Sequence, residues 1–265
     1  MKMYMTVGNV GCGKSFLSSK LAKQCNGIIV NKDCLREMIS GGDYRYIPEN
    51  ESLVKNTILY FIENCMLVDR NIIIDETNLT VEKRKVYLDL AKKYNYTIIV
   101  YNFGSGNSEE LRRRLEDDRG VPHISWQTVW ESMHDIYELP TFYEGIDNIF
   151  EPPHRFVFHA FDFDGTICSN EFPNVGKPIE KITNYINKLY ENIFNVIIIW
   201  TCRDGDKLNE AKEFLHKNKI KFDFINENPL VNFGSSKKVY ADFYYDDRNV
   251  SLGSINEQRT DNTNT

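Results

Sequence analysis

The chain lacks paired cysteines. Six occur, at positions 12, 25, 34, 65, 168 and 202, and no two stand as C-x-x-C. Neither a zinc site nor a disulfide framework is indicated, and free thiols in a reducing cytosol are expected. Long apolar runs are missing too. None approaches the roughly 18 residues that suggest a membrane span. The start, MKMYMTVGNV, has no apolar stretch ending in a small-residue cleavage site and reads as a first strand, so a cytoplasmic location is expected. Basic charge is also scarce: the formal net charge is −6 over 265 residues. A strongly basic chain would point to nucleic acid throughout its surface. Here any polynucleotide contact must be local.

What is present is α/β alternation in two stretches, which indicates parallel sheets and suits two domains. The first stretch has strands near Lys2–Val7, Gly27–Val30, Asn71–Ile74 and Tyr96–Phe103, with helices between and after them. A break with Pro152 and Pro153 falls at Asn148–His154. The pattern restarts with strands at Phe156–Phe161, Asn195–Trp200, Phe222–Ile225 and Val239–Tyr245. Domains at 1–150 and 154–253 are expected, with a polar, disordered tail at 254–265.

Gly8-Asn9-Val10-Gly11-Cys12-Gly13-Lys14-Ser15 fits G-x-x-x-x-G-K-[ST] between a strand and a helix. Gly8, Gly11 and Gly13 let backbone N–H groups turn inward around phosphates, and the helix N-terminus favours anions. Lys14 would reach the β- and γ-phosphates of ATP, and Ser15 would ligate Mg²⁺. Cys12 sits inside this loop, where backbone N–H groups could lower its pKa, although a small filler is the plainer reading. Asp75 ends the run Ile72-Ile73-Ile74 where a second acid meets the Mg²⁺ shell, though the sequence there also suits a turn cap.

The guanine-reading N-K-x-D is absent, which leaves a kinase rather than a switch GTPase. Asp33 follows the second strand and is placed to take a proton from an incoming hydroxyl. Arg36, one turn on, would hold an acceptor phosphate. An ordinary helix cap and a surface arginine are the plain alternatives. Arg112, Arg113, Arg114 and Arg119 include at least one that closes on the transferring phosphoryl group, with Arg114 and Arg119 preferred. Tyr44-Arg45-Tyr46 suits stacking on a base as well as it suits loop packing.

In the second stretch, Asp162 and Asp164 stand two apart at a strand end, followed by Gly165-Thr166. Asp162 could attack phosphorus and Asp164 could serve as acid and base. Thr201 ends a buried strand with a phosphate-binding hydroxyl, Lys237 and Lys238 supply cations, and Asp246 and Asp247 join Asp162 and Asp164 as Mg²⁺ ligands. Thr77 and Arg203 complete the expected acceptor contacts.

Through FDFDGT, WTCR, KK and YYDDR the chain resembles the haloacid dehalogenase superfamily of phosphatases. Through EFPNVGKP, IIWTCRDG, FDFINENP and KVYADFYYDDR it resembles that superfamily's nearly capless members. That resemblance implies a Rossmann-like fold with a minimal cap, and selects Lys238 over Lys237. The domain order, with NKDCLREMI, ETNLTVEKR and ELRRRLEDDRGVP, is similar to the phage-type 5′-polynucleotide kinase/3′-phosphatase family. This implies Asp33 as base on a 5′-hydroxyl, Arg36 on the acceptor phosphate, and arginines of 112–119 on ATP. In ETNL the carboxylate is Glu76, with Asp75 one residue earlier, so either fits. The implied role is end healing of RNA or DNA, with a ligase acting downstream. Two other readings stand beside it: the same chemistries on a nucleoside or sugar, favoured by the negative charge, and a non-catalytic nucleotide-binding regulator.

Overall fold

The computed structural model describes residues 1–116, 125–152, 156–231 and 238–249, without the side chains of residues 113 and 116. Arg119, Lys237 and the expected tail lie outside the described residues. The chain divides into two compact units, Met1–His154 and Arg155–Thr265.

The first unit alternates β1 (Lys2–Val7), α1 (Lys14–Cys25), β2 (Ile28–Val30), α2 (Lys32–Ile39), α3 (Glu51–Leu67), β3 (Ile72–Ile74), α4 (Val81–Lys93) and β4 (Thr97–Asn102). It continues with α5 (Ser108–Glu116), α6 (Trp126–Asp135) and β5 (Asn148–Phe150). The five strands pair in parallel in the order β2-β3-β1-β4-β5. Central strands of such a sheet are covered on both faces and become continuous apolar runs. Ile72, Ile73 and Ile74 are fully buried, as are Met3, Met5 and Val7 of β1. All of these but Ile73 pack with Ile58 and Ile62 of α3 and Leu88 of α4 into one core.

Asn148–Phe150 corrects the expected break at Asn148–His154. These residues form β5, in register with Ile99, Val100 and Tyr101 of β4. A three-residue edge strand next to two prolines carries too little period to be read from sequence. Its place is set by packing, with Phe150 stacked on Tyr101 at 5.5 Å between ring centroids.

The second unit has β6 (Val157–Asp162), α7 (Glu180–Glu191), β7 (Asn195–Trp200), α8 (Gly205–Lys217), β8 (Phe224–Ile225) and β9 (Phe243–Tyr245). Its sheet is again parallel, ordered β8-β7-β6-β9. Phe161, Ile197 and Ile199 meet Ile186 of α7 and Leu215 of α8 in a core of its own. Because all strands of each sheet run one way, their carboxyl ends gather at one edge, where open α/β sheets bind ligands. The loops after β1, β2, β3 and β4 share that edge in the first unit, and those after β6, β7 and β9 in the second.

Candidate functional site

The loop after β1 is fixed before any ligand enters it. Gly8, Gly11 and Gly13 have φ of +156°, +82° and +94°, and Gly13 caps α1 in the left-handed region. The Gly8 N–H donates to Thr77 O at 2.9 Å. Asn9, fully buried, donates from its amide to Ser105 O at 2.8 Å and Trp130 O at 2.9 Å. Asn9 was not singled out from sequence, because only the fold brings β4's loop and α6 against it. Lys14 is buried, with Nζ donating to Asn9 O at 2.5 Å and to Cys12 Sγ at 3.4 Å. Ser15 is exposed at the start of α1.

Cys12 does not have the lowered pKa weighed as the lesser reading of its loop position. It is buried, and burial pushes its thiol up, outweighing the nearby Lys14 ammonium. The thiolate needed for redox reactivity is disfavoured.

At the end of β2, Asn31 caps α2 by accepting from the N–H groups of Asp33 and Cys34. Asp33 is therefore not the cap, and its carboxylate is turned to another partner: Arg36 Nη1 donates to Asp33 Oδ1 at 2.5 Å. Arg36 also makes a two-pronged bond to Glu51, at 2.8 and 2.7 Å. Hydrogen bonding to Glu51, with Asp33 adding to it, holds the guanidinium protonated against the opposing effect of burial. The same Arg36 bond holds the Glu51 carboxyl below the usual range. Glu51 could not be found from motif spacing, since it comes from the start of α3.

After β3, Asp75 is buried and accepts from Asn31 Nδ2 at 3.2 Å. Glu76 accepts from Lys32 Nζ at 2.8 Å. Asp75 Oδ1 and Glu76 Oε1 are buried and have no hydrogen-bond partner among the described residues. An orphaned carboxylate oxygen is a fit for a hard cation such as Mg²⁺. Lys32 already neutralises Glu76, so Asp75 is the better of the two. Thr77 is half-buried beside them. The loop is anchored by Arg84, whose Nη1 donates to Asn78 O and Glu138 O, both at 3.0 Å.

Arg114 is buried on α5, with its guanidinium 4.9 Å from the Trp126 ring centroid. It borders the phosphate loop, because its Cβ and the backbone of Glu110 crowd Gly11. Arg112 forms an exposed pair with Glu109.

In the second unit Asp162 ends β6, and Asp246 and Asp247 follow β9. One ligand oxygen from each lies within 4.8 Å of the others. Burial pushes the Asp162 carboxyl up to about 6; Phe163's backbone opposes this, while Asp246, Asp247 and Asp164 add to it. Three all-oxygen acids held this close fit a Mg²⁺ ion. The Asp247 N–H donates to Thr166 Oγ1 at 3.0 Å. A Cβ at Gly165 would stand 2.4 Å from Asp247 Oδ2. The Asp-Gly-Thr spacing thus seats one acidic loop on the other.

Two expectations are corrected here. Asp164 is not in the three-carboxylate group. Instead both its oxygens accept from Arg203, at 2.7 Å from Nε and 2.6 Å from Nη2. Arg203, in turn, is not open to an acceptor. It is buried, donates also to Pro173 O and Asn174 O, and lies between the Phe163 and Phe172 rings, 5.3 Å from each. An arginine fork is the natural holder for a carboxylate that must be kept in one orientation. Thr201 is buried at the end of β7, its Oγ1 accepting from Arg203 N at 3.2 Å. Lys238 is exposed, 5.1 Å from the Tyr244 ring centroid.

A parallel sheet whose central strand runs into a glycine-bent loop and a helix N-terminus, with acids at neighbouring strand ends, makes the first unit a P-loop kinase. The chain belongs to the AAA domain family, which matches residues 3–140. It is similar to a bifunctional polynucleotide phosphatase/kinase of Schizosaccharomyces pombe, 31% identical over 90 residues, which are 33% of this chain and 22% of that protein. This chain thus spans about a fifth of that relative's length. It is also similar to an L-seryl-tRNA(Sec) kinase of Methanococcus maripaludis, 21% identical over 88% of this chain and 79% of the relative. Among solved structures, one of the Pnkp1/Rnl/Hen1 RNA repair complex matches 98% of this chain and 93% of its own, at 17% identity and TM-score 0.43. No described helix is long and apolar enough to cross a membrane.

Proposed function

We propose that the chain is a nucleic-acid end-healing enzyme. The first unit transfers the γ-phosphate of ATP to a 5′-hydroxyl end of RNA or DNA. The second, a phosphatase of haloacid dehalogenase type with a minimal cap, hydrolyses a 3′-phosphate. The observation that carries the reading is a phosphate loop with an Asp33–Arg36–Glu51 cluster in one unit and an Asp162–Asp246–Asp247 cluster in the other. The Schizosaccharomyces pombe relative, a bifunctional polynucleotide phosphatase/kinase, combines the same two chemistries.

In the kinase unit, loop N–H groups, Lys14 and Arg114 hold the donor phosphates. Asp33 takes the proton of the attacking hydroxyl, while Arg36 and Thr77 hold the acceptor. In the phosphatase unit, Asp162 attacks phosphorus as the ester bond breaks, and the leaving oxygen takes a proton from Asp164. Asp164 then removes a proton from water, which attacks the aspartyl-phosphate and releases inorganic phosphate. Thr201 and Lys238 bind the phosphate oxygens, and Arg203 orients Asp164. Mg²⁺, held by Asp162, Asp246 and Asp247 in one unit and by Ser15 and Asp75 in the other, would offset the phosphate charge in both reactions. The product ends, 5′-phosphate and 3′-hydroxyl, suit a ligase acting next.

The test uses an oligonucleotide with 5′-hydroxyl and 3′-phosphate ends, Mg²⁺ and γ-labelled ATP. Label at the 5′ end should be lost with Lys14→Ala only, and 3′-phosphate removal with Asp162→Asn only. A wild type that does neither, yet hydrolyses a generic phosphate ester, would move the substrate to a small molecule.

A further inference from the structure

The acceptor side of the phosphate loop carries an aromatic face that neither proton removal by Asp33 nor phosphate binding by Arg36 requires. Tyr46 lies over Arg36, the guanidinium carbon 5.6 Å from the ring centroid. That guanidinium is clamped by Asp33 on one side and by Glu51 on the other. The ring therefore rests on a fixed cation, yet Tyr46 is 61% exposed. Its neighbour Tyr44 is partly buried, and Arg45 turns to Asp43 at the surface, 3.6 Å away. Of the Tyr-Arg-Tyr run, then, one ring both lies on the Arg36 cation and stands open.

We propose that Tyr46 is the stacking platform for the nucleobase of the acceptor's terminal nucleotide, and so a specificity-determining residue of the kinase reaction. The inference rests on Asp33 and Arg36 being the base and the acceptor-phosphate contact. Three adjoining groups then match the three parts of one nucleotide: a carboxylate for the hydroxyl, a guanidinium for the phosphate, and a π-face for the base. Base–aromatic stacking tolerates any base, because every base has a π-face. The platform selects nucleotide acceptors over polyols without reading sequence.

The experiment compares two acceptors with ATP as donor. One is a nucleoside 3′-monophosphate; the other is the matching abasic sugar phosphate with the same primary hydroxyl, and every chain compared also carries Asp162→Asn so that the acceptor's phosphate is not removed. The wild type should favour the first by about tenfold in kcat/KM, the effect of one stacked base. Tyr46→Ala should bring that ratio close to one, through KM for the nucleotide, while Tyr46→Phe should keep it, since the ring and not the hydroxyl is used. An unchanged ratio in Tyr46→Ala overturns the proposal. So does an equal fall on both acceptors, which would make the ring a prop for Arg36. A wild type that phosphorylates neither acceptor nor any oligonucleotide overturns the polynucleotide reading itself, and the platform with it.

Discussion

A methyl group at position 11 would stand 2.5 Å from the carbonyl oxygen of Glu110, on a backbone with φ of +82°. Both facts demand glycine there, and neither depends on a bound nucleotide. Gly11→Ala should destabilise the first unit by about 1–2 kcal/mol from the left-handed backbone alone. It should also push α5 and Arg114 off the loop, raising KM for ATP; urea unfolding and initial rates check the two effects. Single residues of this kind were readable from sequence, because the loop's spacing encodes them. Glu51 and Asn9 were not. Their partners are brought to them by the fold, so no spacing in the chain announces them. Asp164 and Arg203 were both singled out, yet their mutual bond was invisible, because side-chain pairing across two strand ends has no signature in either motif.

At the scale of elements, strand β6 carries His159 in a buried position, its Nδ1 within 3.1 Å of the Tyr245 hydroxyl on β9. Burial lowers the His159 pKa from its ordinary value of 6.5, opposed by weaker contributions from Asn195 and Asp242. The folded form therefore binds the proton less well than the unfolded chain. Stability from this group is complete above the unfolded pKa and is lost as pH falls below 6.5 towards the lower folded value. The melting temperature of the second unit should drop as the pH falls below 6.5, and His159→Gln should flatten that drop; thermal unfolding across the pH range is the check. Elements as such were mostly legible: apolar runs such as Ile72–Ile74 give buried parallel strands away, whereas the cap of α2 is Asn31 and not Asp33. Strand β5 was hidden by its brevity and its prolines.

At the scale of the molecule, each unit has a separate core and a separate ion pair built on a fully buried arginine. Arg84 and Glu144 are 0% and 8% exposed in the first, and Arg203 and Asp164 are 0% and 18% exposed in the second. Removing one partner of such a pair leaves an uncompensated charge and costs about 3–5 kcal/mol. Calorimetry should resolve two transitions. Arg84→Met should lower one midpoint and Arg203→Met the other, and a single shared transition responding to both would mean that the units unfold together. The two-unit plan was legible in the restart of α/β alternation, whereas the first unit's sheet runs on to Phe150.

Lys14 is already folded into its loop, bonded to Asn9 O and Cys12 Sγ. A free lysine side chain gives up as much as ~2 kcal/mol of rotamer entropy when immobilised. Here that loss is incurred once, when the chain folds, and not again at each turnover. An entering phosphate exchanges one set of partners for another on an ammonium that has nowhere else to go.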